Sequence, residues 1–342
     1  MLTPAAATTL MHKLNRDQRS RLQAGYDAAS ARLDKVWQMR KRGYEGAYKA
    51  LVTAANQPNA SRESVRTSRE YADYKGEVNA AAKAFTATFR SVATDLETDG
   101  RSKGATYAYN AIAAGDERPK RIDVSTIPRY TEDVAFALIV AAFAGALTSG
   151  LDDRWQQAER GGFSPSWAVK QMKSYTDNIP TAAALNSSRT AQLFGARRVT
   201  IGIYKGNGVD QWIWSASLDS LVCGFCVSMH GSVHSVEEEL ISHHNCRCAP
   251  IPVTPSWSDL GFDDGTDFKV ETGDSWFREQ PYDVWERILG KAGAAAYKDG
   301  QFTLSDVAGT YSDPVFGRMG REKSLNEILG EQLATVYKRR IA

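Results

Sequence analysis

The 342-residue chain is long enough for two or three domains and a sizeable core. A hydrophobic content of 42%, a charged content of 24% and a formal net charge of +2 describe an ordinary globular chain and argue against bulk nucleic-acid binding by charge alone. Four cysteines are too few for a secreted disulfide scaffold, and residues 1–12 have no basic start and no long apolar run, so a chain made and kept in a reducing cytoplasm is expected.

Charge is uneven along the chain. Residues 1–126 carry 21 Lys+Arg against 14 Asp+Glu, residues 127–254 carry 10 against 11, and residues 255–342 carry 11 against 15. The first third is therefore the part expected to face DNA or an acidic partner.

Residues 14–51 read as helix, with Leu22, Tyr26, Ala29, Leu33 and Val36 in heptad spacing, although Gly43 and Gly46 weaken its end. Asn56-Gln57-Pro58-Asn59 breaks it. A second seam comes next: Tyr71, Tyr74, Val78, Ala81, Phe85, Phe89, Val92 and Leu96, with Gly100 expected to stop that helix. Two such helices predict an antiparallel hairpin, either part of an ordinary bundle or an arm that docks on a partner.

Residues 101–130 read as loop-rich. Thr131 is a plausible N-cap for the uncharged run at 134–151, whose 18 residues fall short of the roughly 20 wanted for a membrane span. A buried core helix is the expectation there, with a membrane segment, at the lower limit of length for a span, as the minority alternative. Residues 165–195 predict further helix. Residues 198–204 and 210–215 are β-branched and aromatic on either side of Lys205-Gly-Asn-Gly-Val209, which predicts a β-hairpin.

After Pro255 the chain turns acidic and loop-like up to Gly273. A helix near Asp274 has Trp276, Phe277, Trp285, Ile288 and Leu289 for its apolar face, and Ser324-Leu-Asn-Glu327 is a capping box for a last helix. Its basic end, Lys338-Arg339-Arg340, suits the helix dipole. The fold class expected is α+β, mostly α-helical, with a long N-terminal helical hairpin, a small β-hairpin core and a helical C-terminal segment.

All four cysteines fall within residues 218–252, as Cys223-x-x-Cys226 and Cys246-x-Cys248. A Cys-x-x-Cys turn presents two sulfurs from one knuckle, which suits a tetrahedral ion with bonds of roughly 2.3 Å. Cys246 and Cys248, if extended, put both sulfurs on one face of a strand. His243 lies at ligand spacing before Cys246, with His244 a weaker substitute. That makes five candidate metal ligands, Cys223, Cys226, His243, Cys246 and Cys248, for four places at a structural zinc ion. Disulfides, a redox Cys-x-x-Cys pair and plain buried thiols are the alternatives. His230 and His234 have zincin spacing, but Gly231 stands where the catalytic Glu belongs. No Ser-His-Asp set, P-loop or GxGxxG is present, so no catalytic residues and no enzyme activity are expected.

The ordered run Trp212-x-Trp214-Ser-Ala-Ser-Leu-Asp219, Cys223-Gly-Phe-Cys226, Met229-His230-Gly231 and His243-x-Asn245-Cys246-Arg247-Cys248 resembles the phage Mu F-like head morphogenesis domain. Residues 272–325, from Thr272-Gly-Asp-Ser-Trp276-Phe277 onward, are similar to the segment C-terminal to that domain in actinophage members. His244 replaces the usual proline, and Arg189-Thr190-Ala191 lacks the acid often found there. The resemblance implies a Mu F-like domain at about 105–255, which leaves the helical arm at 1–104 and the acidic linker with its helical segment at 256–342 on either side. It further implies a minor capsid protein inside the virion, bound to the portal protein and acting in head assembly and in DNA packaging or ejection, with packaged DNA, coat or scaffold protein as further contacts. A zinc-ribbon nucleic-acid-binding module and an effector enzyme fused to such a domain are the competing readings. Only Arg197, Arg198, Lys205 and Arg247 are basic between 195 and 255, and residues 256–342 hold no histidine or cysteine.

Overall fold

The computed structural model describes residues 4–114, 118–132, 134–177, 181–253, 271–313 and 316–340. The fold is α+β and mostly helical. By compactness the chain forms two units. One holds residues 24–96 and 131–191, and the other holds residues 1–23, 97–130 and 192–342.

The 24–96/131–191 unit is helical. It draws on α1 (Pro4–Ala55), the short α2 (Arg62–Arg66), α3 (Arg69–Ala114), α4 (Val134–Arg160), α5 (Pro165–Asp177) and the start of α6 (Thr181–Gly206). The turn expected at 56–59 separates α1 from α2, and Ser61 caps α2 through a reciprocal bond with Ser64. α1 and α3 run antiparallel. Arg32 pairs with Asp95 at 2.7 Å, and Tyr44 meets Tyr74 edge-on further along. Every residue of the second apolar seam, from Tyr71 to Leu96, is buried. Leu22, Ala29 and Leu33 of the first seam are buried too, and Gly43 and Gly46 do not interrupt α1. Within this unit Trp155 of α4 packs edge-on against Tyr71, and the Tyr74 hydroxyl meets Thr176 of α5 at 3.0 Å. The apolar run at 134–151 forms the first part of α4. Among the described residues, no helix is long and apolar enough to cross a membrane.

The other unit carries all of the β structure. Several sequence expectations fail here. Gly100 does not end α3, and 101–114 is helix rather than loop. The reason is packing: a Cβ on Gly100 would lie 2.9 Å from the carbonyl carbon of Gln192, and one on Gly104 would lie 2.8 Å from Cα of Ala196. The two glycines let α3 and α6 approach backbone to backbone, so they serve contact rather than termination. The expected hairpin over 198–204 and 210–215 is also wrong, because residues 198–206 continue α6. Val199, Ile203 and Tyr204 are fully buried at helical spacing, and Thr200 bonds both Ala196 O in its own helix and Gly104 O. Tertiary burial overrides the strand propensity of a β-branched run.

Only the second half of that hairpin is a strand, β1 (Gln211–Ser215). It lies between two antiparallel partners, β2 (Val233–Ser235) and β3 (Ala249–Pro252). The short helix α7 (Gly224–Met229) sits between β1 and β2 in sequence. A second sheet pairs β4 (Ala308–Asp313) with β5 (Gly317–Glu322). The C-terminal helices are α8 (Gly273–Arg278), α9 (Tyr282–Lys298), α10 (Leu325–Leu329) and α11 (Glu331–Arg340). The capping box at Ser324 and Glu327 forms as read from the sequence. The single last helix does not, because Gly330 at φ 79° divides α10 from α11. Most of the acidic stretch between Pro255 and Gly273 lies outside the described residues.

One core joins these pieces. Tyr107 and Ile112 of α3, Val199 and Ile203 of α6, Trp212 and Trp214 of β1, Phe277, Leu304 and Tyr337 are all buried in it, and so are Cys226, Cys246 and Cys248. The cysteines are therefore part of the core's packing as well as its chemistry.

Candidate metal centre

The first cysteine pair is shaped by α7. Cys223 is its N-cap, in extended conformation, and its Sγ accepts the Cys226 N–H at 3.4 Å. One helical turn thus places both sulfurs on the same end of α7. The second pair is not on a strand. Residues 243–246 form a turn in which Cys246 N–H reaches His243 O at 3.3 Å, and Asn245 adopts φ 60°. Asparagine tolerates that left-handed conformation better than most residues. Cys246 Sγ accepts the Cys248 N–H at 3.4 Å, and β3 begins only at Ala249.

These two segments meet. His243 Nε2 lies 3.0 Å from Cys223 Sγ and 3.1 Å from Cys226 Sγ, and Cys226 Sγ lies 3.7 Å from Cys246 Sγ. The potential ligand atoms form two triads that share Cys226: Cys223, Cys226 and His243, and Cys226, Cys246 and Cys248. Among the described residues no other histidine, cysteine or carboxylate cluster of this kind occurs. All five sequence candidates are therefore gathered at one place. His243 Nδ1 donates to His244 O at 2.6 Å, which leaves Nε2 toward the sulfurs. His244 is not in the cluster; its ring stands 3.9 Å from Asp313 and edge-on to Phe316.

The donor set fits a tetrahedral thiophilic ion. Bonds of roughly 2.3 Å to sulfur give a tetrahedron with edges of about 3.8 Å, and the Cys226–Cys246 separation is 3.7 Å. The four cysteines are free thiols. Bonding to the Cys226 thiol, helped by His243, brings the Cys223 thiol down to about 5. The same bond pushes Cys226 up. Burial opposes charge on Cys246, but bonds from Cys226 and Cys248 and the charge of Arg197 bring it well below the usual thiol range. Burial also opposes charge on His243, yet its contact with Cys223 outweighs this and raises it to about 9. Burial pushes the Cys248 thiol up, so the lowered pair is Cys223 and Cys246, and thiols brought down in this way are the donors that a thiophilic cation would take.

Neighbouring residues fix the two segments. Asp219 and Arg247 form a two-armed ion pair, at 2.5 and 2.6 Å, between the loop before Cys223 and the Cys246–Cys248 turn. Glu322 of β5 accepts the Gly224 N–H at 2.6 Å, at the start of α7. Arg197 of α6 is buried and donates to Cys248 O and Ser242 Oγ. In the sequence, Asp219 and Arg247 stand out only as parts of a pattern. Glu322 and Arg197 carry no signal there, since nothing local separates the buried Arg197 from the half-exposed Arg198 beside it.

His230 and His234 belong to packing. His230 Nδ1 accepts the Ala216 N–H at 2.9 Å in a buried position. His234 stacks on Trp212 at 4.4 Å and bonds Ser232 and Glu238. The run Glu237-Glu238-Glu239 is likewise consumed, in ion pairs of Glu237 with Lys205 and Glu239 with Arg198 and in a hydrogen bond between Glu238 and His234.

Compared with known proteins, the chain matches no family model, no curated protein and no solved structure.

Proposed function

We propose that this chain is a minor capsid protein of a tailed phage, bound to the portal protein inside the head and acting in head assembly and in DNA packaging or ejection. The observation that carries the reading is the meeting of the Cys223–Cys226 knuckle with the His243–Cys248 turn, latched by Asp219 and Arg247. These are the residues through which the sequence resembles the Mu F-like head morphogenesis domain, and here they form one site.

In this reading the ion is zinc. Four of Cys223, Cys226, His243, Cys246 and Cys248 would hold it, since soft sulfur with imidazole in a tetrahedral set selects that metal. The ion supplies cross-linking and neutralises thiolate charge. With protein ligands in all four places, the site would offer no open position for a substrate. The side chains of the site then act as a clasp: they fasten the end of β1, α7 and the approach to β3 where three short strands provide little core of their own.

The test is co-purification with the portal protein of the same phage, together with detection of the chain in purified heads. Stable recovery with the portal supports the proposal, and absence from heads refutes it. The metal is tested separately by native mass spectrometry. One zinc ion per wild-type chain is expected, lost in Cys226→Ser.

A further inference from the structure

Arg197 presents an electrostatic problem. It is 5% exposed, inside the core of its unit, and all of its hydrogen-bond acceptors are neutral. Among the described residues no carboxylate lies within ion-pair distance of it. A buried cation without a counter-charge costs several kcal/mol, on the order of what a small domain has to spare. The Phe194 ring, 5.8 Å from the guanidinium, meets part of that cost, and nearby thiolate would meet more of it.

The geometry shows where. Nε and Nη2 donate to Cys248 O at 3.1 and 2.8 Å, and Nη1 donates to Ser242 Oγ at 2.5 Å. One guanidinium thus ties together the two ends of the loop that carries His243, Cys246 and Cys248. Ser242 is also held from the other side, where its carbonyl accepts the Gly320 N–H of β5 at 3.0 Å. Asp219 is committed to Arg247, and Glu322 to the backbone of α7. Glu237, Glu238 and Glu239 line a pocket together with Arg197 but bond to Lys205, His234 and Arg198, whereas the groups that the Arg197 fork itself holds belong to the loop carrying Cys246 and Cys248.

We propose that Arg197 is a positioning residue of the metal site, closing the Ser242–Cys248 ligand loop with its fork and supplying the buried positive charge that balances the metal-bound thiolates. The inference rests on the metal reading above. A lysine places a point charge there without the planar fork, and a methionine fills the space with neither. The two substitutions therefore separate the contributions of charge and shape.

The experiment uses the full reduced chain. Zinc affinity is measured by competition with a chromogenic chelator, and the cobalt(II)–thiolate absorption band reports the ligand geometry. Denaturation with and without zinc is followed in parallel. Arg197→Met is expected to weaken zinc binding about 10–100-fold, as loss of an outer-shell partner does, and to shrink the stability gained on zinc binding. Arg197→Lys is expected to fall between it and wild type, with an altered cobalt band. Wild-type zinc affinity in either variant overturns the proposal. So does an equal loss of stability with and without zinc, which is what a purely structural arginine would give. If Arg197→Met does not fold, the affinity of Arg197→Lys decides alone. Failure of the wild-type chain to take up any metal overturns both the metal reading and this proposal, and is distinguished by appearing before any variant is made.

Discussion

Gly104 and Ala196 are in backbone contact: a Cβ on the glycine would stand 2.8 Å from Cα of the alanine and overlap its carbonyl oxygen. Neither partner can give way, because both are main chain inside helices. Gly104→Ala is therefore expected to destabilise the chain by about 1–3 kcal/mol, the usual cost of overpacking. Gly46 of α1 is the control, since nothing lies within 4 Å of the same position there. Gly46→Ala is expected to stabilise by about 0.5–1 kcal/mol through helix propensity. Urea unfolding of the two variants checks both signs.

Two adjacent histidines have opposite roles in the proposed site. His243→Ala removes the nitrogen that faces Cys223 and Cys226 and is expected to lower zinc affinity at least about tenfold. His244→Ala alters a contact with Asp313 and Phe316 and is expected to leave zinc affinity unchanged. Chelator competition on both variants separates them. If His243→Ala binds zinc as wild type does, the ion is held by the four cysteines.

Glu322 holds the start of α7 from a different sheet. Its carboxylate accepts the Gly224 N–H, and burial, with the nearby Cys223, raises its pKa. Glu322→Ala leaves that N–H unpaired beside the Cys223–Cys226 knuckle, at an expected cost of about 1–3 kcal/mol. Unfolding of the zinc-loaded chain measures it. Cys223 should also become more reactive toward a thiol reagent in the metal-free form.

At the surface, Glu327 carries a pH signature. Its carboxylate is paired with Arg321 and accepts from Ser324 N–H and Oγ–H, which brings it down to about 2. The folded pKa lies below the unfolded value of about 4.3. Its contribution to stability is therefore present above that value and is lost as pH falls through about 2. An NMR titration of the side chain should show this low midpoint in the wild type. Arg321→Gln should move it back toward about 4, and a wild-type midpoint near that value would refute the assignment.

The helical seams are legible in the sequence because each repeats a single spacing over many turns, so every residue from Tyr71 to Leu96 that the pattern marks is buried. The capping box at Ser324 is legible for the same reason: its signal is local. Residues 198–204 mislead because alternating β-branched residues fit a strand locally, whereas their partners, Gly104 and the core around β1, lie far away in sequence. Gly100 misleads as a stop because a glycine that ends a helix and one that lets another helix approach look alike in sequence. The β4–β5 hairpin, with Gly309, Gly317 and Gly320 among its short polar stretches, carries no strong strand pattern and is invisible at that level.

By itself the sequence determined the helical seams, the capping box at Ser324 and the five candidate ligands, all of which depend on residue type and short spacing. Tertiary structure alone decided that His243 faces the sulfurs while His244 turns to Asp313 and Phe316. It alone decided that Arg197 is buried against the ligand loop while Arg198 pairs with Glu239 nearer the surface. In both cases neighbouring residues of the same chemistry are separated by which way the backbone faces the core, and burial, which sets the strength of charge and hydrogen bonding, follows from that direction.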